Sequence, residues 1–322
     1  MNKRVTTAFR AGIFRGWSGY LWLLKILVPI SFASFLLIWS GWLYTLDFLI
    51  QPVMGILSLP ASAALPLIIG LFTGIYGAVA AMAVMPLTMD QMTLIAIFLL
   101  ISHNLVQESI VQGKSGLNAM AAAGFRLVTS FVVTYIASRV MDAADPVLLS
   151  AATASSAGEA TPFVPLFLSW ARDIAGLCIK IFAIIMPLMV VLETMKAFDM
   201  IRHIVRFASP VFSLLGLGRT TGVLWLTAAL FGLSYGAAVI VEETKTNDFS
   251  ADDLTRLQLS IGINHAMVED PALFLPLGIS PLWLWIPRLL AAMAAIYLFH
   301  LVTFFRRLNA QRTGHKKICD HR

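Results

Sequence analysis

Apolar residues run through this chain in eight stretches of membrane-spanning length, near 20–45, 62–86, 91–112, 117–140, 173–195, 221–241, 257–278 and 281–305. About 20 helical residues cross roughly 30 Å of hydrocarbon, so each run is long enough for a transmembrane helix. Two runs break the pattern. The third carries Ile101-Ser102-His103-Asn104-Leu105-Val106-Gln107-Glu108, and the seventh repeats it as Ile263-Asn264-His265-Ala266-Met267-Val268-Glu269-Asp270. Imidazole, amide and carboxylate groups are expensive to hold in lipid unless they face protein, water or a ligand. The two motifs therefore mark the candidate functional site.

The repetition extends beyond them. Lys25 aligns with Lys180, Pro52-Val53 with Pro210-Val211, Phe72 with Phe231, Tyr76-Gly77-Ala78 with Tyr235-Gly236-Ala237, Gly116 with Gly278 and Arg126 with Arg288. Across these pairs the offset grows only from 155 to 162. So many matches in one order predict two copies of one unit, 20–140 and 173–305. The small, polar, proline-containing stretch 141–172 between them reads as an extracytoplasmic linker. Residues 1–19, basic with Phe9, Phe14 and Trp17, suit an interfacial segment, and 306–322 form a basic tail.

Charge decides how the units are oriented. If all four runs of each unit crossed, the units would be parallel, and Lys196, Arg202, Arg206 and Arg219 would lie outside, against the positive-inside rule. If 91–112 and 257–278 are re-entrant hairpins, each unit has three spans and the second is inverted. Lys114, the 196–219 segment and the tail with Arg306, Arg307, Arg312, Lys316, Lys317 and Arg322 then fall inside, and the acidic loops 142–159 and 242–253 outside. The expected fold is thus an all-α integral membrane protein of two inverted-topology repeats, each three transmembrane helices plus one re-entrant helical hairpin, with both termini cytoplasmic. Pro271 disfavours helix at its predecessor and predicts a break near 269–271. The first copy has no proline there, and its break rests on the polar run and on Gln112-Gly113-Lys114 at its exit.

Composition agrees with membrane insertion: 59% hydrophobic residues, 12% charged residues and a mean hydropathy of +0.83. The net charge of +6 resides at the ends and in short loops, as topology signals do, so a nucleic-acid partner is excluded. Cys178 and Cys319 provide neither a disulfide framework nor a thiolate metal site.

The Phe-x₃-Tyr-Gly-Ala segments, the paired His-x₃-Gln/Glu-Glu/Asp motifs and the repeat with its trailing arginine resemble the Gate, or nucleoside-recognition, domain family. That family is found in spore maturation proteins A and B and in the membrane part of the bacterial ferrous iron transporter. The resemblance covers most of 20–305 and implies a polytopic bacterial inner-membrane fold, architecturally related to concentrative nucleoside transporters, with two hairpins forming a central site. This chain has no Gly-x₄-Gly-Lys-Ser/Thr phosphate loop, so no nucleotide-driven step is implied, and no cysteine near either hairpin, which counts against a soft-metal path.

Three chemistries fit the motifs. His265 and Glu269, like His103 and Gln107, are one helical turn apart and could chelate a metal. The same groups on facing hairpins could cage a polar solute or relay protons, or serve only as interhelical hydrogen-bond glue. Arg126 and Arg288 lie in apolar helices and are expected to pair with Glu108, Glu269 or Asp270, as structural ion pairs or anion clamps. With neutral histidines, these five charged groups sum to −1, which a coupling proton or cation would offset. Phe72, Tyr76, Phe231 and Tyr235 are spaced as core aromatics. Gly77 and Gly236 would admit a hairpin tip beside them, and Glu242-Glu243-Thr244-Lys245 reads as a solvated loop.

The functional expectation is a secondary transporter or lipid-headgroup translocator for a polar or charged substrate. His103, Asn104, Gln107, Glu108, Asn264, His265, Glu269, Asp270, Arg126, Arg288, Tyr76 and Tyr235 would bind it, with Glu269 and Asp270 as coupling residues. No resident metal or cofactor is expected, and the partners are the bilayer, the solute or headgroup, and a second copy or another membrane protein. The rival is a non-transporting scaffold for an envelope or spore-maturation-like assembly. No Ser/His/Asp or His-Glu-x₂-His constellation supports an enzyme.

Overall fold

The protein, seen here as a computed structural model, is described at residues 2–41, 47–142, 163–198, 200, 204, 207, 209–246 and 249–319. Among these residues it contains helices and no strand. In chain order they are α1 (Asn2–Trp39), α2 (Asp47–Ile56), α3 (Ala64–Thr73), α4 (Ile75–Met82), α5 (Met89–Ser102), α6 (Leu105–Lys114) and α7 (Ala119–Val140). After the linker come α8 (Phe163–Ala197), α9 (Ser209–Leu214), α10 (Arg219–Phe231), α11 (Leu233–Thr246), α12 (Ala251–Asn264), α13 (Glu269–Phe274) and α14 (Pro281–Cys319), with short 3₁₀ turns at Ala61–Ala63 and Leu275–Leu277.

By length and apolarity, five helical stretches can cross a membrane: Arg4–Trp39, Met89–Lys114 counted through its break, Ala119–Val140, Phe163–Ala197 and Pro281–Arg306. The pair Ile50–Ile56 and Ala61–Thr73, bent by 87°, makes a sixth if taken as one span. The chain is an integral membrane protein. α1 continues from Asn2 without interruption at residue 20, and α14 likewise runs past 306. Residues 143–162, most of the expected linker, lie outside the described residues; 163–172 belong to α8, and 141–142 follow the end of α7. The expected loop at Glu242-Glu243-Thr244 is instead the end of helix α11.

The long helices form the outside and the broken ones the centre. α1 and α8 lie along each other, and a Cβ on Gly12 or Gly16 would sit 2.6 Å from the Val190 backbone or 2.9 Å from Met186 Sδ. Small residues there let two membrane helices close up. Tyr20 Oη donates to Cys178 O at 3.2 Å, Trp170 Nε1 donates to Ser31 Oγ at 2.9 Å, Phe32, Phe35 and Phe167 pack around Trp170, and Phe163 packs on Phe35. The most apolar window of Met89–Lys114 is 61% buried, against 17–28% for the other four long candidates. α5 is therefore the central rod, and Leu94–Ile101 is sealed by side chains rather than by lipid.

The same local device occurs once in each half. Gly74, at φ 92°, separates α3 from α4, and Gly232, at φ 84°, separates α10 from α11. Such backbone is open to glycine and costly for other residues. The second broken helix crosses at that break. Gly70 O accepts from Gly74 N and from Asn104 N, both at 3.0 Å; Ala228 O accepts from Gly232 N at 2.9 Å and Ala266 N at 3.1 Å. Asn104 and Ala266 are both left-handed, at φ 45°. Interrupting a helix inside a membrane strands backbone groups, and here the N–H of each left-handed residue donates to a carbonyl at the glycine break it crosses.

Candidate functional site

The breaks lie within the two sequence motifs. α5 ends at Ser102, and His103-Asn104 turn the chain into α6; α12 ends at Asn264, and 265–268 lead to α13. The second break thus comes earlier than proline predicted. Pro271 occupies the first turn of α13, where a missing N–H costs no intrahelical bond.

An arginine holds each broken end. Arg126 on α7 donates from Nε to Ile101 O at 2.9 Å and from Nη2 to His103 O at 2.8 Å. Arg288 on α14 repeats this with Ile263 O at 2.9 Å and His265 O at 2.7 Å. Both are completely buried. A guanidinium at a helix C-terminus satisfies orphan carbonyls and complements the negative end of the helix dipole. The expected pairing with acids holds for only one of them. Arg126 Nη2 also reaches Glu108 Oε2 at 2.5 Å, whereas Arg288 has no carboxylate within ion-pair distance among the described residues. Its Nη1, like that of Arg126, finds no hydrogen-bond partner there. Asp270 instead approaches the other half, with Oδ2 3.3 Å from His103 Nε2.

The two imidazoles meet at the centre, ring centroids 5.1 Å apart and planes tilted by 38°. His103 Nδ1 lies 2.8 Å from Leu99 O and His265 Nδ1 lies 3.0 Å from Ile261 O. A carbonyl only accepts, so each Nδ1 carries hydrogen and a neutral ring turns the Nε2 lone pair inward. His103 Nε2 meets Glu108 Oε1 and Asp270 Oδ2, each at 3.3 Å, and His265 Nε2 meets Glu108 Oε2 at 3.1 Å. Acceptor then faces acceptor in a buried cluster, an arrangement that demands protons or another cation between the groups.

Beside the cluster is a cavity of about 180 Å³, lined by Tyr76, Asn104, Phe231, Glu269 and Leu273 together with both histidines, Glu108 and Asp270. Tyr76 Oη donates to Glu269 Oε1 at 3.0 Å, joining α4 to α13 across the halves.

Of the expected site residues, His103, Asn104, Glu108, His265, Glu269, Asp270 and Tyr76 line this cavity, and Arg126 and Arg288 stand behind it. Three lie elsewhere. Gln107 points outward, because the left-handed turn at Asn104 brings Glu108 inward in its place. Tyr235 is 49% exposed, its ring 5.2 Å from Lys196 Nζ. Asn264 is buried outside the cavity, with Oδ1 and Nδ2 unpartnered among the described residues. Phe72 is exposed as well, so Tyr76 and Phe231 are the aromatics that reach the cavity. The glycine that admits the first break is Gly74, whose Cβ would lie 2.7 Å from Asn104 Nδ2. Gly77 instead packs near Thr73, Ile69 and Ile30, and Gly236 near Ala228.

A second polar contact joins the halves and lacks a counterpart in the sequence motifs. Gln112 Nε2 donates to Gln258 O at 2.9 Å, and Gln258 Nε2 to Ser115 O and Ser115 Oγ, both at 2.8 Å. Nothing in the sequence singled it out, since both amides sit in helices that carry many other polar residues and lie too far apart in sequence for their pairing to be read.

Over 276 residues, 85% of this chain and 88% of the relative, the sequence is 28% identical to "Uncharacterized membrane protein YvoD" of Bacillus subtilis (strain 168). No family model matches the chain. No solved structure matches it. The likeness agrees with membrane residence, and the Gate-family resemblance rests on the motifs.

Proposed function

We propose that this membrane protein is a secondary transporter or lipid-headgroup translocator for a polar or charged substrate, working by alternating access around the cavity between its two halves. The observation that carries the reading is the convergence of two broken helices, one from each half, on a single cavity with buried, incompletely paired charge. Discontinuous helices meeting at a midplane site are a recurring transporter device. Intramembrane ionisable groups otherwise cost too much to keep.

In this reading the halves are inverted repeats and the broken helices act as re-entrant hairpins. The matched arginine bonds, the matched left-handed residues and the matched glycine breaks support a common unit. The basic segments lie in the cytoplasm with both termini, in a bacterial inner membrane. Substrate binds in the cavity against Tyr76, Asn104 and Phe231. Asp270 carries the coupling ion, because Arg126 neutralises Glu108, the Tyr76 hydroxyl engages Glu269, and Asp270 Oδ2 has no hydrogen-bond partner among the described residues.

Proteoliposomes containing a trapped pH dye test this. Nucleosides, organic acids and phosphate esters are offered in turn under an imposed pH or ion gradient. At least one should move the dye signal, and Asp270→Asn should abolish the gradient dependence while the protein stays monodisperse. Silence across the panel, with a cysteine at Ile75 reacting with water-soluble thiol reagents, would overturn transport in favour of the scaffold.

A further inference from the structure

The inward-facing atoms of the central cluster form a recognisable donor set. His103, His265 and Asp270 each offer one ligand atom, and these lie within 4.8 Å of one another. Glu108 stands beside this group of three, with Oε2 3.1 Å from His265 Nε2 and Oε1 3.3 Å from His103 Nε2. Four ligands at about 2.0–2.2 Å from a tetrahedral ion are separated from one another by roughly 3.3 Å. The 3.3 Å between His103 Nε2 and Asp270 Oδ2 already has that spacing.

The outer contacts are those a metal centre uses. Both Nδ1 atoms are committed to backbone carbonyls, Leu99 O and Ile261 O, which fixes the tautomer that presents Nε2 as a ligand. Arg126 holds Glu108 Oε2 and thereby orients the carboxylate. His265 Nε2 and Asp270 Oδ2 are buried atoms with no hydrogen-bond partner among the described residues. Hydrogen-bond glue between helices would pair its donors with acceptors, but here the inward atoms are all acceptors when the rings are neutral.

We propose that His103, His265, Asp270 and Glu108 bind one divalent first-row transition-metal ion, joining the two halves of the molecule. Two imidazoles and two carboxylates suit that class better than Mg²⁺ or Ca²⁺, which favour all-oxygen shells, and the absence of sulfur ligands disfavours Cu⁺. The ion takes the five-residue charge from −1 to +1, and the adjoining cavity of about 180 Å³ has room for an anionic outside ligand. The site goes beyond the sequence expectation of no metal. It rests on the transport reading only insofar as it names the cation class of the coupling position; binding itself requires no flux.

The test uses the full-length chain, purified in detergent without a histidine tag and stripped with a chelator. Zn²⁺ is then titrated by calorimetry, and Co²⁺ is followed by its visible d–d absorption. One ion should bind per chain, and Co²⁺ should give the intense bands of a four-coordinate site. His103→Gln and His265→Gln should each weaken binding by more than the about 10–100-fold seen on loss of an outer-shell partner, with unchanged elution on size exclusion. Should a glutamine variant misfold, His265→Cys keeps a ligand and should add a thiolate-to-Co²⁺ charge-transfer band in the near-ultraviolet while the d–d bands move to longer wavelength. Tyr235→Phe, outside the cluster, should leave affinity unchanged.

Substoichiometric binding by wild type overturns the proposal. So does full binding by the His103→Gln/His265→Gln double variant, which would locate the metal elsewhere, such as among His315 and His321 of the tail. Metal bound in detergent without flux in proteoliposomes removes the transport reading and leaves the site intact. Gradient-driven flux by a protein that binds no metal does the opposite.

Discussion

Arg126 and Arg288 make the same two backbone bonds, but among the described residues only Arg126 has a carboxylate partner, so replacing each by Met isolates that one difference. Either replacement strands two carbonyls at a helix end, at about 1–3 kcal/mol for each group left unsatisfied. That cost is common to both variants: Ile101 O and His103 O in one, Ile263 O and His265 O in the other. Arg126→Met additionally leaves Glu108 buried without its 2.5 Å partner, and breaking one side of a buried pair costs about 3–5 kcal/mol. At about 1.4 kcal/mol per tenfold, Arg126→Met should lower the folded-to-unfolded ratio at least about a hundredfold further than Arg288→Met. On a Glu108→Gln background the carboxylate charge is gone, and the two replacements should converge. Tryptophan fluorescence during SDS titration of the protein in mixed micelles gives all the required values as a double-mutant cycle. Equal losses in the two single variants, or no relief from Glu108→Gln, would mean that the Arg126–Glu108 pair contributes nothing beyond its backbone bonds, and the asymmetry argument for Asp270 would fall with it.

Gly74→Ala meets both an unfavourable backbone and the Asn104 amide at 2.7 Å, whereas Gly232→Ala has open space around its Cβ. Both should destabilise by about 1–3 kcal/mol from conformation, with a further loss in Gly74→Ala that Asn104→Ala partly restores; thermal melts by fluorescence size exclusion would show the ranking. Tyr76→Phe removes the donor to Glu269 and should cost about 1–3 kcal/mol, while Tyr235→Phe should be neutral in the same melts, and equal effects would contradict the placement of Tyr235 outside the site. For topology, a cysteine at Lys196 should react with membrane-impermeant maleimide only after spheroplasts are opened, and labelling from outside would overturn the inverted arrangement.

The centre of the site was legible because polar groups stand out in apolar sequence. His103 and His265, Glu108 and Asp270, Arg126 and Arg288 all answered to their register in the two halves. What could not be read was the geometry of the breaks. Asn tolerates left-handed backbone and hints at the turn at Asn104, but Ala266 adopts the same φ of 45° with no such tolerance. Proline drew the second break toward Asp270, although Pro271 fits the first turn of a helix. Because one left-handed residue rotates everything after it, helical spacing placed Gln107 at the site together with Glu108, although only Glu108 turns inward. Gly74 and Gly232 were likewise hidden, since a glycine in an apolar run reads equally as close packing or as a break.

In each half the two broken helices are pinned at one carbonyl, Gly70 O or Ala228 O, which serves both its own chain and the crossing one. A joint of this kind has a rotational freedom and no sliding freedom. If α5 slipped along α3, or α12 along α10, this backbone bond would be lost in each half, while a swing about the shared oxygen preserves it. On the proposed alternating-access reading, access to the cavity should therefore change by turning each crossed pair as a scissor about its pin, with the arms redirected where Gly116 and Gly278 reverse the backbone at φ 115° and 89°. Amide hydrogens of Asn104 and Ala266 should then stay among the slowest to exchange in the molecule, even under conditions in which the cavity opens and the arms beyond it exchange freely.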